Sequence, residues 1–411
     1  MKKITLLTLM TVLLLSSCEK EGSKKDDLEY LNDIPLEEIA HIFSSINMDD
    51  DHLNEVYDAV SESIKNGYDE EYMMKDLFSS PGAGVGMKDK TKASNRYSNP
   101  LKNLIQDHLK STAGTKTSLI STKSSSAGAE VMTPTMVEDY LNHLEASNIQ
   151  IYWPYSDNWD SESYPTITFA PNSDSDENIG YKLDEINGEK VVQTVTVDEN
   201  YAKTHPVWVI NKNEDSHHPT LEMLREEDPN FSEGGEIIIK SPSTKSPDVS
   251  EGLKTLVLRD FIMKRNFDNW FRGASEFFIK TGSVENFYAS TEAELKLYSP
   301  SITDFMVVVK RGQKNVPVPF NAVLVSDWSP QLEQSAFMII EDDGGTKTTW
   351  KAEAIVKVES KSYGITLTIP INTSDDIVWR GQLSSRYIFA NNKIPGQFGD
   401  VDLVFEVIDY D

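Results

Sequence analysis

Residues 349–359 read Thr349-Trp350-Lys351-Ala352-Glu353-Ala354-Ile355-Val356-Lys357-Val358-Glu359, and residues 363–371 read Tyr363-Gly364-Ile365-Thr366-Leu367-Thr368-Ile369-Pro370-Ile371. Apolar and polar side chains alternate in both runs. An extended chain would place the apolar set on one face, which is the pattern of a half-buried antiparallel strand. The same alternation recurs at Thr303–Lys310, Ala336–Ile340 and Val401–Ile408. About nine such short runs follow Leu253 with no convincing helical stripe, which predicts an antiparallel β-sandwich over residues 253–411.

Working outward from there, Ser241-Pro242-Ser243-Thr244-Lys245-Ser246-Pro247 disfavours both helix and central strand, so residues 241–252 read as a Ser/Pro linker. Residues 130–240 read as a helix followed by a β-rich module. Thr135 and Glu138 are spaced as a capping box, and Val137, Tyr140, Leu141 and Leu144 form the helix face. Strands are expected at Ile149–Tyr155, Pro165–Ala170, Lys190–Val197 and Pro206–Asn211, with an acidic, poorly periodic loop from Lys212 to Gly235.

Residues 34–80 are helical by period. Leu36, Ile39, Ile42, Phe43 and Ile46 form one stripe, and Leu53, Val56, Tyr57, Val60 and Ile64 form a second, with Asp51 placed to cap it and Gly67 to close it. Such a hairpin needs a partner for its apolar faces. Residues 81–129 are basic and rich in Ser, Thr, Gly and Lys, a linker interrupted by one helix over Pro100–Lys110. The expected class is therefore an α+β multi-domain protein: a small N-terminal helical region, a β-rich middle module and a C-terminal antiparallel β-sandwich.

The chain opens with Met1-Lys2-Lys3, an apolar run from Ile4 to Leu15, and Ser16-Ser17-Cys18. A basic head, a short apolar core and small residues describe a secretory signal. The core is too short for a membrane span of about 20 residues. Leu15-Ser16-Ser17-Cys18 resembles the lipobox of bacterial lipoproteins. That resemblance implies removal of residues 1–17 and lipidation of Cys18, leaving residues 18–33 as a lipidated tether. The acidic stretch after Cys18 is similar to that of Bacteroidota-type surface lipoproteins, which implies a cell-envelope, outer-membrane lipoprotein that is periplasmic or surface-exposed.

The formal net charge is −27, so general electrostatics oppose binding to nucleic acid or anionic head groups. Cys18 is the single cysteine; with it lipidated, disulfides, Cys nucleophiles and Cys-bearing zinc sites are excluded. No His lies beyond Pro219, so the C-terminal part holds no His-based triad or His metal site. Gly82-Ala83-Gly84-Val85-Gly86-Met87-Lys88 lacks the spacing of a phosphate loop. Glu214-Asp215-Ser216-His217-His218 is dense in potential zinc ligands, but its spacing matches no ligand pattern and it reads as a solvated loop.

Oxygen-rich loops remain. Asp157, Asp160 and Glu162 fall within six residues, and Asp174, Asp176 and Glu177 crowd the next loop. In the C-terminal part, carboxylates collect at Asp268, Glu276, Glu341-Asp342-Asp343, Asp375-Asp376 and Asp400. Calcium takes six to eight oxygen ligands, which makes Asp157, Asp160, Glu162, Asp268, Glu276, Asp342, Asp343, Asp375 and Asp376 the candidate ligands; solvated turns are the ordinary alternative. The acidic loops resemble those of C2-type sandwiches, and that resemblance implies calcium at one end of the module. Trp153, Tyr155, Trp159 and Tyr164 either fill a core or stack on sugar faces.

These features describe a lipid-anchored, non-catalytic envelope protein serving binding or assembly, with a membrane contact through the Cys18 lipid, a protein or carbohydrate ligand, and calcium as the one suggested cofactor. The alternative is a secreted hydrolase of an extracellular polymer that uses Asp157, Asp160 and Glu162; paired carboxylates do such work at about 5–9 Å separation. The anchor is directly testable. Cys18→Ala should release the chain from membranes or leave it uncleaved, as read by fractionation and intact mass. Unchanged retention and processing would reject lipidation at this position.

Overall fold

The computed structural model describes residues 34–79, 96–112, 133–173, 175–186, 189–213, 218–227, 252–343 and 345–409. Cys18, the 82–88 glycine run, Asp174, Glu214 to His217 and the Ser/Pro stretch to residue 251 lie outside them. Among the described residues no helix is long and apolar enough to cross a membrane. Residues from Pro35 onward cluster as one compact unit.

The fold is mixed α/β and mostly strand. The opening stretch, Thr349–Glu359, lies inside a strand whose Ala352, Ala354, Val356 and Val358 are buried while Lys351, Glu353 and Lys357 are exposed. Ten strands occupy the C-terminal part: β7 (Lys254–Met263), β8 (Ser275–Ser283), β9 (Ser301–Val309), β10 (Val318–Trp328), β11 (Leu332–Glu341), β12 (Lys347–Val358), β13 (Lys361–Asn372), β14 (Asp376–Ser384), β15 (Pro395–Phe398) and β16 (Val401–Asp409). They form two antiparallel sheets, ordered β10-β7-β16-β15 and β13-β12-β11-β8-β9, with β14 added against β11. One apolar cluster takes its side chains from both sheets, so the arrangement is sandwich-like. Phe337 of β11 meets Phe398 and Phe405 of the other sheet edge-on, and Phe277 of β8 meets Phe261 of β7. A short helix, Ser385–Ala390, interrupts the strands where none is expected, started by the Ser384 hydroxyl accepting from Tyr387 N.

The middle sheet runs β1 (Glu71–Met73), β2 (Ile149–Tyr152), β6 (Val207–Lys212), β3 (Thr166–Phe169), β4 (Glu177–Ile186) and β5 (Glu189–Asp198) in spatial order β1-β2-β6-β3-β4-β5. The β3–β6 pair is parallel. Two of these strands escape sequence reading. β1 is three residues long and carries a buried glutamate, and β4 alternates poorly. The expected loop from Lys212 also contains a short helix, Leu221–Glu227.

Among the described residues four longer helices accompany this sheet, Leu36–Ser45, Asp50–Lys65, Leu101–Thr112 and Pro134–Ala146, the last two packed on the short helix Met74–Phe78 that lies against β1 and β2. The caps differ from expectation by two residues each. Asp49 rather than Asp51 caps the second helix, in a reciprocal box with His52. Thr133 rather than Thr135 caps the fourth, because Pro134 suits the first helical position, where no N–H is needed. Glu55 is buried in the second helix and accepts Leu101 N at 2.6 Å, which caps the third helix with a carboxylate at its positive end.

The loop between β7 and β8 joins the middle sheet to the C-terminal sheets. Trp270 and Phe271 enter the apolar cluster of Tyr152, Val197, Val207 and Val209. Trp270 Nε1 donates to Asp176 O at 2.8 Å, and Asn211 Nδ2 donates to Phe271 O at 3.0 Å and Arg272 O at 2.8 Å. The second Asn211 bond matters for the site described below. Phe337 is fully buried where the two C-terminal sheets meet. Phe337→Ala should destabilise the fold by about 3–5 kcal/mol through lost burial and the cavity left behind. Denaturant unfolding measures this, and a loss below about 1 kcal/mol would contradict the packing described.

Candidate functional site

Strand register builds an acidic centre. β11 lies between β8 and β14, and Glu341, its last residue, sits opposite Asp376 on one side and Phe277 on the other. Glu276 immediately precedes Phe277, and its carbonyl accepts Asp342 N at 3.2 Å. Asp343 follows two residues beyond the strand, and Asp268 descends from the β7–β8 loop. Carboxylate oxygens of Asp268, Glu276 and Glu341 lie within 4.8 Å of one another, and so do those of Glu341, Asp343 and Asp376. Glu341 belongs to both groups and is 1 % exposed.

Burial dominates the electrostatics. It pushes the Glu341 carboxyl up to about 11, helped by its hydrogen bond to Asp268 and by the charges of Asp268, Asp343 and Asp376. Burial also raises Asp268, against the pull of Glu341's proton and of Arg272 and Arg311. Asp343 is pushed up to about 6 by burial and by Asp268 and Asp376. Asp268 and Glu341 thus share a proton across facing carboxyls, since like charges so close cannot both ionise cheaply.

Asp268, Glu276 and Asp343 line a cavity of about 340 Å³ together with Asp69, Asn211 and Arg272. Asp69 sits just before β1 and accepts Ala274 N at 2.8 Å through Oδ2. Gly273, at φ +144, passes between them: a Cβ there would meet Asp69 Oδ2 at 3.0 Å and Glu276 Oε1 at 3.8 Å. Glycine therefore serves both the backbone conformation and the close approach of the two carboxylates. Among the described residues, Glu341 Oε1, Asp69 Oδ1 and Asn211 Oδ1 are buried without a hydrogen-bond donor. Each unpartnered buried acceptor carries a desolvation penalty of about 1–3 kcal/mol, and oxygens of this kind beside a carboxylate cluster are of the type that could hold a hard cation.

Asp342 lines the same cavity without joining either carboxylate group, and the other candidates lie elsewhere. Asp342 accepts Asn372 Nδ2 at 3.2 Å and faces His218 Nε2 at 3.7 Å. Asp375 accepts Asn372 N at 2.7 Å and is pushed up to about 6 by burial and by the neighbouring Asp342. Asp157, Asp160 and Glu162 occupy an exposed loop between β2 and β3. There Asp160 accepts Glu162 N, Ser163 N and the Ser163 hydroxyl; the last two bonds hold its carboxyl down to about 2. Asp157 takes Lys310 Nζ at 3.0 Å. Density in sequence here reflects a self-satisfied turn. The aromatic group divides as well: Trp153 and Trp159 pack with Tyr57, and Trp153 also with Trp208, while Tyr155 lines a separate cleft. Asp69 and Asn211 escaped sequence reading, since both are far in sequence from the C-terminal acids and only the fold brings them to the same cavity.

Comparison with protein-family models, with curated proteins and with solved structures finds no match.

The raised groups give a pH dependence of definite sign. Asp343 titrates near 6 in the fold and near 3.9 in the unfolded chain, so the folded state holds the extra proton. Its contribution is fully present below about pH 4 and is lost as pH rises through about 6. Asp375 acts in the same direction. With a chelator present, thermal stability should fall between about pH 4 and 6, and Asp343→Asn should flatten that fall. Stability that rises with pH across this window would contradict the assignment.

Proposed function

We propose that the protein is a lipid-anchored, non-catalytic binding protein of the cell envelope whose acidic centre holds calcium. The observation that carries the reading is Glu341, a carboxylate buried at the meeting point of two carboxylate groups with an oxygen left without a donor. Asp268, Glu276, Glu341, Asp343 and Asp376 supply oxygens of the type and number calcium takes, and Asp69 and Asn211 supply further oxygens along the same cavity. A bound cation would clamp the ends of β8, β11 and β14 to the β7–β8 loop, and so join the sandwich-like C-terminal module to the middle sheet. The C2-type expectation of calcium at one end of a sandwich agrees with that placement. Anchoring through Cys18 would hold the assembly at the membrane with its C-terminal part presented to partners.

One observation favours a second reading. Asp268 and Glu341 face each other beside a cavity and share a proton, as the carboxylate pair of an acid–base hydrolase can. The binding reading is preferred because five carboxylates converge rather than two, and because the facing pair is engaged with itself.

Calcium separates the readings. A ligand that binds only the folded state adds RT ln(1 + [L]/Kd), about 2.7 kcal/mol at a hundredfold excess over Kd. Calcium should raise the melting temperature of the purified protein by several degrees. Magnesium should do so far less, since it demands a tighter octahedral shell. Glu341→Gln combined with Asp376→Asn should abolish the calcium shift while circular dichroism stays unchanged. Equal responses to the two ions, or a shift that survives the double substitution, would refute the site. Polymer hydrolysis that persists in chelator and is lost in Asp268→Asn would favour the second reading.

A further inference from the structure

We infer that the cleft between Tyr155 and Lys314 is a binding site for an acidic sugar, one that carries a carboxylate or a sulfate. The cleft encloses about 630 Å³. Four cationic side chains line it, Lys203, Lys310, Arg311 and Lys314, against three carboxylates, Glu70, Asp157 and Glu199, so the cleft carries a local positive excess on a chain whose net charge is −27. Global electrostatics repel an anion from this protein, so an anion that binds must be held by a local arrangement.

The cations are fixed by their neighbours rather than scattered over a surface. Arg311 is nearly buried; its Nε donates to Glu199 Oε1 at 2.9 Å and its Nη1 to Asp268 O at 2.8 Å. Tyr155 OH donates to the same Glu199 oxygen at 2.8 Å. Lys310 Nζ sits 3.0 Å from Asp157 and 3.8 Å from the buried Glu70. Lys203 pairs with Glu199 at 3.6 Å. Lys314 is exposed at the rim and has no ion pair among the described residues, so one positive charge in the cleft is unanswered.

Two features add hydroxyl recognition to charge. Asn266 stands on the cleft wall, where its amide adds a neutral polar group to the charged ones. An amide of this kind suits a ligand hydroxyl, which both donates and accepts. Tyr155 stands in the left-handed region at φ 60, a conformation that is unfavourable for a residue with a side chain and is kept here by its N–H donating to Glu70 at 3.3 Å and its hydroxyl to Glu199. The effect is to hold an aromatic ring against the cleft at Gly312, where a sugar face can lie beside it. A ligand with both an anionic group and hydroxyl donors, of a size for this cleft, is an acidic sugar within a glycan.

The test is calorimetry on the purified protein with oligogalacturonate, with a sulfated oligogalactan and with a neutral oligogalactan of equal length. All titrations include a chelator, so that the acidic cation centre contributes nothing and its failure would leave this result untouched. One acidic glycan should bind at least tenfold more tightly than the neutral one, and which of the two does so identifies the oxyanion. Lys203→Gln with Lys314→Gln should weaken that binding at least tenfold with circular dichroism unchanged. Lys296→Gln, an exposed lysine outside the cleft, should leave it unaltered. The inference is overturned if neither acidic glycan exceeds the neutral one, if the double variant binds as the parent does, or if Lys296→Gln weakens binding equally.

Discussion

Burial of Glu341 is the constraint around which the C-terminal half is arranged. A carboxylate at the end of a central strand, opposite an aspartate and within reach of three more acids, is tolerable only when its charge is cancelled. Without a cation the protein cancels it by keeping a proton on the facing Asp268–Glu341 pair. With a cation the same oxygens become ligands. Strand register brings Glu341 opposite Asp376 and beside the start of β8, so the backbone itself sets these acids close together.

The acidic centre is also structural for the rest of the molecule. The β7–β8 loop that carries Asp268 carries Trp270 and Phe271 into the middle-sheet core, and Asp69 reaches back from the start of β1 to cap Ala274 N. Arg311 reads the opposite side of that loop by donating to Asp268 O and Gly273 O while holding Glu199. One loop therefore separates an oxygen-lined cavity from a cation-lined cleft, with charges of opposite sign on its two sides. Arg311 bridges the two through Asp268 O, while the cleft's cations are answered by Glu70, Asp157 and Glu199 on its own walls.

Sequence patterning made the repetitive parts legible. Period-two runs such as Thr349–Glu359 and period-3.6 stripes such as Leu53–Val60 each have one apolar face, and burial follows that face. β1 was not legible, because Glu71-Tyr72-Met73 is fully buried, polar residue included, and offers no alternation. The acids were legible as loop residues, but their grouping was not. Asp157, Asp160 and Glu162 lie close together along the chain, yet Asp160 spends its lone pairs on neighbouring N–H and O–H groups and Asp157 pairs with Lys310. Glu341 ends an apolar strand and so looked like its polar boundary, while register alone reveals it as the centre.

The central claim is that the protonated Glu341–Asp268 pair exchanges its proton for a cation, and proton release measures that exchange directly. Calcium titration by calorimetry at pH 7, repeated in two buffers of different ionisation enthalpy, yields the number of protons freed per ion bound. The account predicts saturable calcium binding with close to one proton released, and loss of that release in Glu341→Gln. Absence of calcium binding, or binding whose heat is the same in both buffers, would contradict it.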